Sequence, residues 1–195
     1  MRQSRVAFAL VLAALLASFT VGATPAAAAT SDLKIVIVVG PVGSSTTTFR
    51  SRGDAIYAEA VKYSRNVTRI YSPNATWAKV KPALQGASIV VYLGHGNGFP
   101  SPYRTTPWPY SQNGLGLNAT VGNGDSNTQY YGEYYLGTEV VLAPNAVVLL
   151  QNLCYASGNS EPQNAEPTLS VAKQRVDNFG AGFIKAGARA VIADG

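Results

Sequence analysis

The sequence predicts an α/β fold of three layers, α/β/α, around a mostly parallel sheet. Three observations point there. The strand-like segments are continuous aliphatic runs: KIVIVVG (34–40), ASIVVYL (87–93), AVVLL (146–150) and ARAVIA (188–193). Runs without polar alternation fit strands buried on both faces, as in a parallel sheet. Segments of helical period separate most of them, and strands alternating with helices place helices on both sides of one sheet. No internal repeat is present, and the length suits one domain with a real core.

The elements follow in order. Arg2 and Arg5 precede an almost wholly apolar run, Val6 to Val21, then Gly22, Pro25 and the small residues Ala26–Ala29. This is the pattern of a cleaved secretory signal, assigned to residues 1–29, with an uncleaved anchor as the alternative. No twin-arginine pair is present, so bacterial Sec-type export to the extracellular side is expected. Residues 30–195 form the folded domain. Lys34–Gly40 is the first strand, and the Gly/Ser/Thr-rich stretch 41–53 reads as a loop. A helix is expected from Asp54, capped by it, with Ile56, Ala60 and Tyr63 on one face. Val67–Tyr71 is a short strand. Asn74 or Thr76 can cap a second helix that carries Trp77, Val80 and Leu84 and stops at Gly86.

Residues 97–137 change character. They are rich in Gly, Pro, Asn and Tyr without a sustained period, and carry eight aromatics from Phe99 to Tyr135. A long segment of this kind is functional or disordered, and the aromatics argue for order. After Ala146–Leu150 and a loop to Pro167, Leu169, Ala172, Val176, Phe179, Phe183 and Ala186 recur at helical spacing, with Gly187 as the stop. The chain ends two residues after its last strand, and a C-terminal continuation is expected.

Charge and cysteine content narrow the function. The chain carries 15 basic and 10 acidic residues, and loss of Arg2 and Arg5 with the signal leaves 13 basic residues. They are scattered, so neither a nucleic-acid partner nor a membrane surface is expected after signal cleavage. The chain has one cysteine, Cys154, and one histidine, His95. A lone cysteine in an exported chain reads as an intermolecular partner, a reactive thiol, or an inert small apolar residue.

Both residues fall just past the ends of aliphatic strands, where open parallel sheets bind ligands. Adjacent strands lie about 4.8 Å apart, so the two side chains can approach each other if their strands are neighbours. Sulfur nucleophiles act as thiolates, and a free thiol is mostly protonated at neutral pH. A nearby imidazole can shift that balance or protonate a leaving group. A glycine beside the histidine lets a backbone N–H face a substrate oxygen.

The paired segments SIVVYLGHG (88–96) and AVVLLQNLCYASG (146–158) carry a resemblance. An aliphatic strand followed by His-Gly, then a second followed closely by Cys, resembles the caspase-like cysteine peptidases, with caspases, legumains, gingipains and clostripain. The layout from residue 34 to 193 is similar too. His95 precedes Cys154 by 59 positions, the reverse of the order in papain-like and NlpC-like peptidases, and the TLxTC motif of sortases is absent. The resemblance implies a caspase-like fold and a secreted thiol protease acting on a peptide or protein. Cys154 would be the nucleophile and His95 the general acid/base. The backbone N–H groups of Gly96 and Cys154 would form the oxyanion hole. Two departures stand out: Asn-Leu-Cys replaces the caspase Gln-Ala-Cys, and the aromatic insertion matches no member. FRSRGD (49–54) resembles a caspase substrate-binding stretch, which would make Arg52 a substrate contact. The alternative is a solvated arginine before a helix cap.

Asn152 and Glu161 flank Cys154 and are expected on the substrate side; Glu161 or Glu166 could also orient His95. No cofactor and no metal are assigned, although GNGDSNTQ (122–129) offers oxygens that could touch Ca²⁺ without the EF-hand glutamate. GPVGSSTT (40–47) lacks a P-loop lysine and reads as a substrate-side loop. Two further readings stay open: a non-catalytic caspase-like binding or surface module of a larger secreted protein, and another Cys-His acyl-transfer enzyme such as a wall transpeptidase or amidase.

Overall fold

A computed structural model of the chain describes residues 32–195; the expected signal, residues 1–29, lies outside them. Five strands form one sheet: β1 (Ile35–Val39), β2 (Val67–Tyr71), β3 (Ile89–Leu93), β6 (Ala146–Gln151) and β7 (Ala188–Ala193). Their order is β2-β1-β3-β6-β7, and every pairing is parallel. Between β3 and β6 lie a separate antiparallel hairpin, β4 (Leu115–Asn118) and β5 (Thr128–Tyr131), and a short helix, α3 (Glu133–Glu139).

Helices cover both faces of the sheet, as three layers require. On one face Ile35, Ile37, Val39, Val91 and Leu93 pack against Phe49, Ile56, Tyr57 and Ala60 of α1 (Thr46–Ala60). On the other, Val36, Val38, Val90, Tyr92, Val148 and Leu150 meet Trp77, Val80 and Leu84 of α2 (Trp77–Leu84) and Phe179 and Phe183 of α4 (Leu169–Lys185). Burying an aliphatic or aromatic side chain of this size contributes about 1.5–3 kcal/mol.

The first helix differs from the expectation. The stretch 41–53 is not a loop: after a 3₁₀ turn at Gly43–Ser45 the chain is helical from Thr46, and Asp54 sits inside α1 rather than capping it. Threonines and serines are weak helix formers, but packing on the sheet overrides that preference. Thr46 starts the helix: its buried hydroxyl donates to Gly43 O at 2.8 Å and accepts from Val42 N at 2.9 Å. Tyr63 falls beyond the helix end and is exposed.

Thr76 is the N-cap of α2, but its hydroxyl makes no capping bond. In α4, Thr168 Oγ1 accepts from Val171 N at 3.3 Å, and Gly187, at φ +106°, turns the chain into β7.

The segment 97–137 is ordered, as expected, but it has regular structure of its own in β4, β5 and the start of α3. Its hairpin is clamped to α1 and to the loop after β2. Arg50 Nη2 donates to both Asp125 carboxylate oxygens, at 2.5 and 2.6 Å, and Ser72 Oγ donates to Asp125 at 2.8 Å. Asn118 Nδ2 reaches Ser72 Oγ and Gly124 O, and its Oδ1 accepts from Ala75 N. Asp125 is the only carboxylate of the stretch 122–129, so a Ca²⁺ ion there would have to displace a guanidinium.

Candidate active site

The strand order reverses between β1 and β3, and a crevice opens at that switch point beyond the carboxyl ends of the strands. In it lies a cavity of about 540 Å³. Val42 and Ser45 reach it from the turn after β1, His95 and Gly96 from β3, Asn152 and Cys154 from β6, and Glu161 from further along the same loop. Leu93 is in register with Gln151 on the neighbouring strand. The sole histidine and the sole cysteine therefore open into one cavity from adjacent strand ends.

Two features fix His95. Tyr92, fully buried at the end of β3, shares its hydroxyl proton between Gly116 O (2.8 Å) and His95 O (3.0 Å), and accepts from Gly116 N at 2.9 Å. It ties the histidine loop to β4. Gly96 then lies against the Cys154 peptide: a Cβ there would sit 2.0 Å from Cys154 O and 2.9 Å from Cys154 N. Only glycine allows this approach. The N–H of Gly96 donates to no acceptor among the described residues, and that of Cys154 meets only its own sulfur.

The cysteine loop is shaped by left-handed backbone, at Asn152 (φ +55°), Tyr155 (φ +70°) and Gly158 (φ +91°). Asn152 N donates to Asp194 at 2.7 Å, and Asn152 Oδ1 accepts from Arg52. Arg52 does not line the cavity. It lies on exposed α1 surface beside Phe49, which does, and reaches the site only through Asn152. Glu161 accepts from Tyr103 Oη at 2.5 Å. Glu166 is exposed and is not among the lining residues.

Burial sets the protonation states. It pushes the Cys154 thiol above its ordinary value, and the Glu161 charge adds to that; the thiol's own amide opposes it. Burial also lowers His95 below its ordinary value, with Glu161 opposing. At neutral pH the site therefore holds a neutral thiol and a neutral imidazole. The imidazole does not draw the resting thiol down, so the remaining role the sequence offers it is proton transfer during reaction.

Sequence reasoning missed Tyr92 and Phe49, and it reads Tyr130 only as one of a tyrosine pair that could stack on a glycan or peptide or form the insertion's own small core. The first carried a signal: a phenol inside an aliphatic strand needs a buried hydrogen-bond partner. Tyr130 and Phe49 line the cavity through the fold of the hairpin and of α1, which no local pattern announced. No three His, Cys, Asp or Glu side chains gather as a metal site among the described residues. No described helix is long and apolar enough to cross a membrane. Comparison with protein-family models, with curated proteins and with solved structures gives no match.

Proposed function

We propose that this chain is a secreted cysteine endopeptidase of caspase-like fold. The observation that carries the reading is the convergence of His95 and Cys154 on one cavity beyond adjacent parallel strand ends. A substrate carbonyl enters with its oxygen toward the N–H groups of Gly96 and Cys154. His95 takes the thiol proton as the Cys154 sulfur bonds to the carbonyl carbon, and the oxygen becomes the stabilised oxyanion. Collapse breaks the C–N bond, and the imidazolium gives its proton to the leaving amine. Water then attacks the thioester and yields a proton to His95, which returns it to the departing sulfur. Glu161, whose charge favours the imidazolium, steadies the protonated intermediate. Asn152 and Glu161 line the substrate side, and Arg52 acts only by holding Asn152.

The test is a peptide-library cleavage profile of the full chain beside Cys154→Ala and His95→Ala. Sequence-selective cleavage is expected, lost in Cys154→Ala and reduced at least about 10²-fold in His95→Ala. Cleavage that persists in Cys154→Ala sinks the assignment.

A non-catalytic binding module is the second reading. It draws on the exposed aromatic ladder Trp108–Tyr110–Tyr134, with ring centroids 5.2 and 4.7 Å apart. It predicts retained partner binding and no cleavage of any library peptide.

A further inference from the structure

Successive residues of a strand face opposite ways, and the two tyrosines of β5 use both faces. Tyr131 turns inward and stacks on Trp77, with ring centroids 4.9 Å apart. Tyr130 turns outward and lines the cavity of His95 and Cys154. Its cross-strand partner on β4 is Gly116. A Cβ on Gly116 would lie 3.1 Å from Tyr130 Cε1 and 3.3 Å from His95 Cβ. Ring and histidine therefore flank one bare backbone position. Tyr92 fixes that position, since its hydroxyl bonds both Gly116 and His95 O.

The ring alone would serve as a wall, and phenylalanine would supply it. The hydroxyl is the part that packing does not explain. Tyr92 spends its hydroxyl on backbone, and Tyr103 and Tyr155 give theirs to Glu161. The Tyr130 hydroxyl makes no hydrogen bond among the described residues. Burial pushes its pKa up, and the charges of Glu161 and Cys154 add to that, so it keeps its proton at any working pH. It is a neutral donor held at the cavity wall beside the histidine, and a half-buried donor without a partner costs free energy until a ligand supplies one.

We propose that Tyr130 is a substrate-contacting residue of this site, its hydroxyl donating to a main-chain carbonyl of the bound peptide; the inference rests on the peptidase reading above. Next to His95 the passing group is the reacting backbone, which offers a carbonyl whatever the sequence. An anionic acceptor is disfavoured there, because the Glu161 carboxylate opens into the same cavity. The apolar surfaces of Val42, Phe49 and Pro162 are left for a substrate side chain.

The experiment offers one peptide library, at concentrations below KM, to the full chain and to its Tyr130→Phe variant. Cleavage of every susceptible member is expected to fall by a common factor of about ten, with the order of preferred sequences kept. The melting temperature of Tyr130→Phe stays equal or rises, since only a hydroxyl without a partner is removed. Unchanged rates, a reordered sequence preference or a lowered melting temperature overturns the proposal. Retention of the same library on immobilised Cys154→Ala, with and without Tyr130→Phe, needs no chemistry and separates the contact from the peptidase reading. Where wild type cleaves, the rates decide; where it does not, retention decides. Retention that Tyr130→Phe weakens about tenfold, beside a wild type that cleaves nothing, sinks the peptidase and upholds the contact. Retention indifferent to Tyr130→Phe in that case, or neither cleavage nor retention, overturns both.

Discussion

The loop after β3 and the loop after β6 meet at the candidate site and are held in place by different means. The histidine loop rests on a buried, uncharged anchor: Tyr92 bonds three backbone groups inside the core, and Gly96 lies flush on the neighbouring peptide. The cysteine loop starts from left-handed backbone and from exposed charged contacts, with Asn152 held between Arg52 and Asp194. A buried hydroxyl with three partners is expensive to disturb, whereas exposed charged contacts are worth little singly. The histidine is thus the fixed member of the pair and the cysteine the adjustable one.

The sharpest way to break that contrast is at the place where the loops touch. Gly96→Ala puts a methyl 2.0 Å from Cys154 O, against backbone that has no rotamer to yield. A cost of about 3 kcal/mol is expected in urea unfolding, with peptide cleavage lost. Wild-type stability in this variant would show that the loops are not in contact.

The next effect separates the two anchors. Tyr92→Phe removes the hydroxyl from three backbone partners at once and should cost about 2 kcal/mol. Arg52→Ala removes one exposed donor to Asn152 and should stay within about 0.5 kcal/mol. Denaturant midpoints of the two variants, measured side by side, check the order. If Arg52→Ala proved the costlier, the cysteine loop would be the rigid one.

Much of the frame was legible before any coordinates. Continuous aliphatic runs locate β1, β3 and β6, and the period from Leu169 locates α4, because burial on both faces and on one stripe leave clear marks; β7, an edge strand, is located by its apolar residues although it is half exposed. His95 and Cys154 were legible as strand-end residues, since the sheet rule says where ligands go. The start of α1 was not. Its threonines and serines look like a loop, and only the sheet face under Phe49, Ile56 and Tyr57 makes them helical. The clamp of Arg50 on Asp125 spans 75 positions, and Arg175 finds Pro100 across the same separation. Contacts of that reach belong to the fold, and no local pattern carries them.

The smallest effect concerns the charge both loops share. Glu161 lies near Cys154 and His95, and its carboxylate raises the pKa of each. Glu161→Gln removes that charge, so both values fall. The thiolate then forms at lower pH, and the pH profile of iodoacetamide alkylation should move to the acid side. Stability follows in the matching sense. A thiol whose folded pKa lies above the unfolded value of about 8.5 contributes stability below that pH, lost as pH rises toward the folded value; the variant shortens this interval. A histidine whose folded pKa lies below about 6.5 contributes stability above that pH, lost as pH falls toward the folded value; the variant lengthens this one. An alkylation profile that moved to the alkaline side would mean that Glu161 supports the thiolate through a bonded network instead of opposing it by charge, and the cysteine loop would then be the more firmly organised of the two.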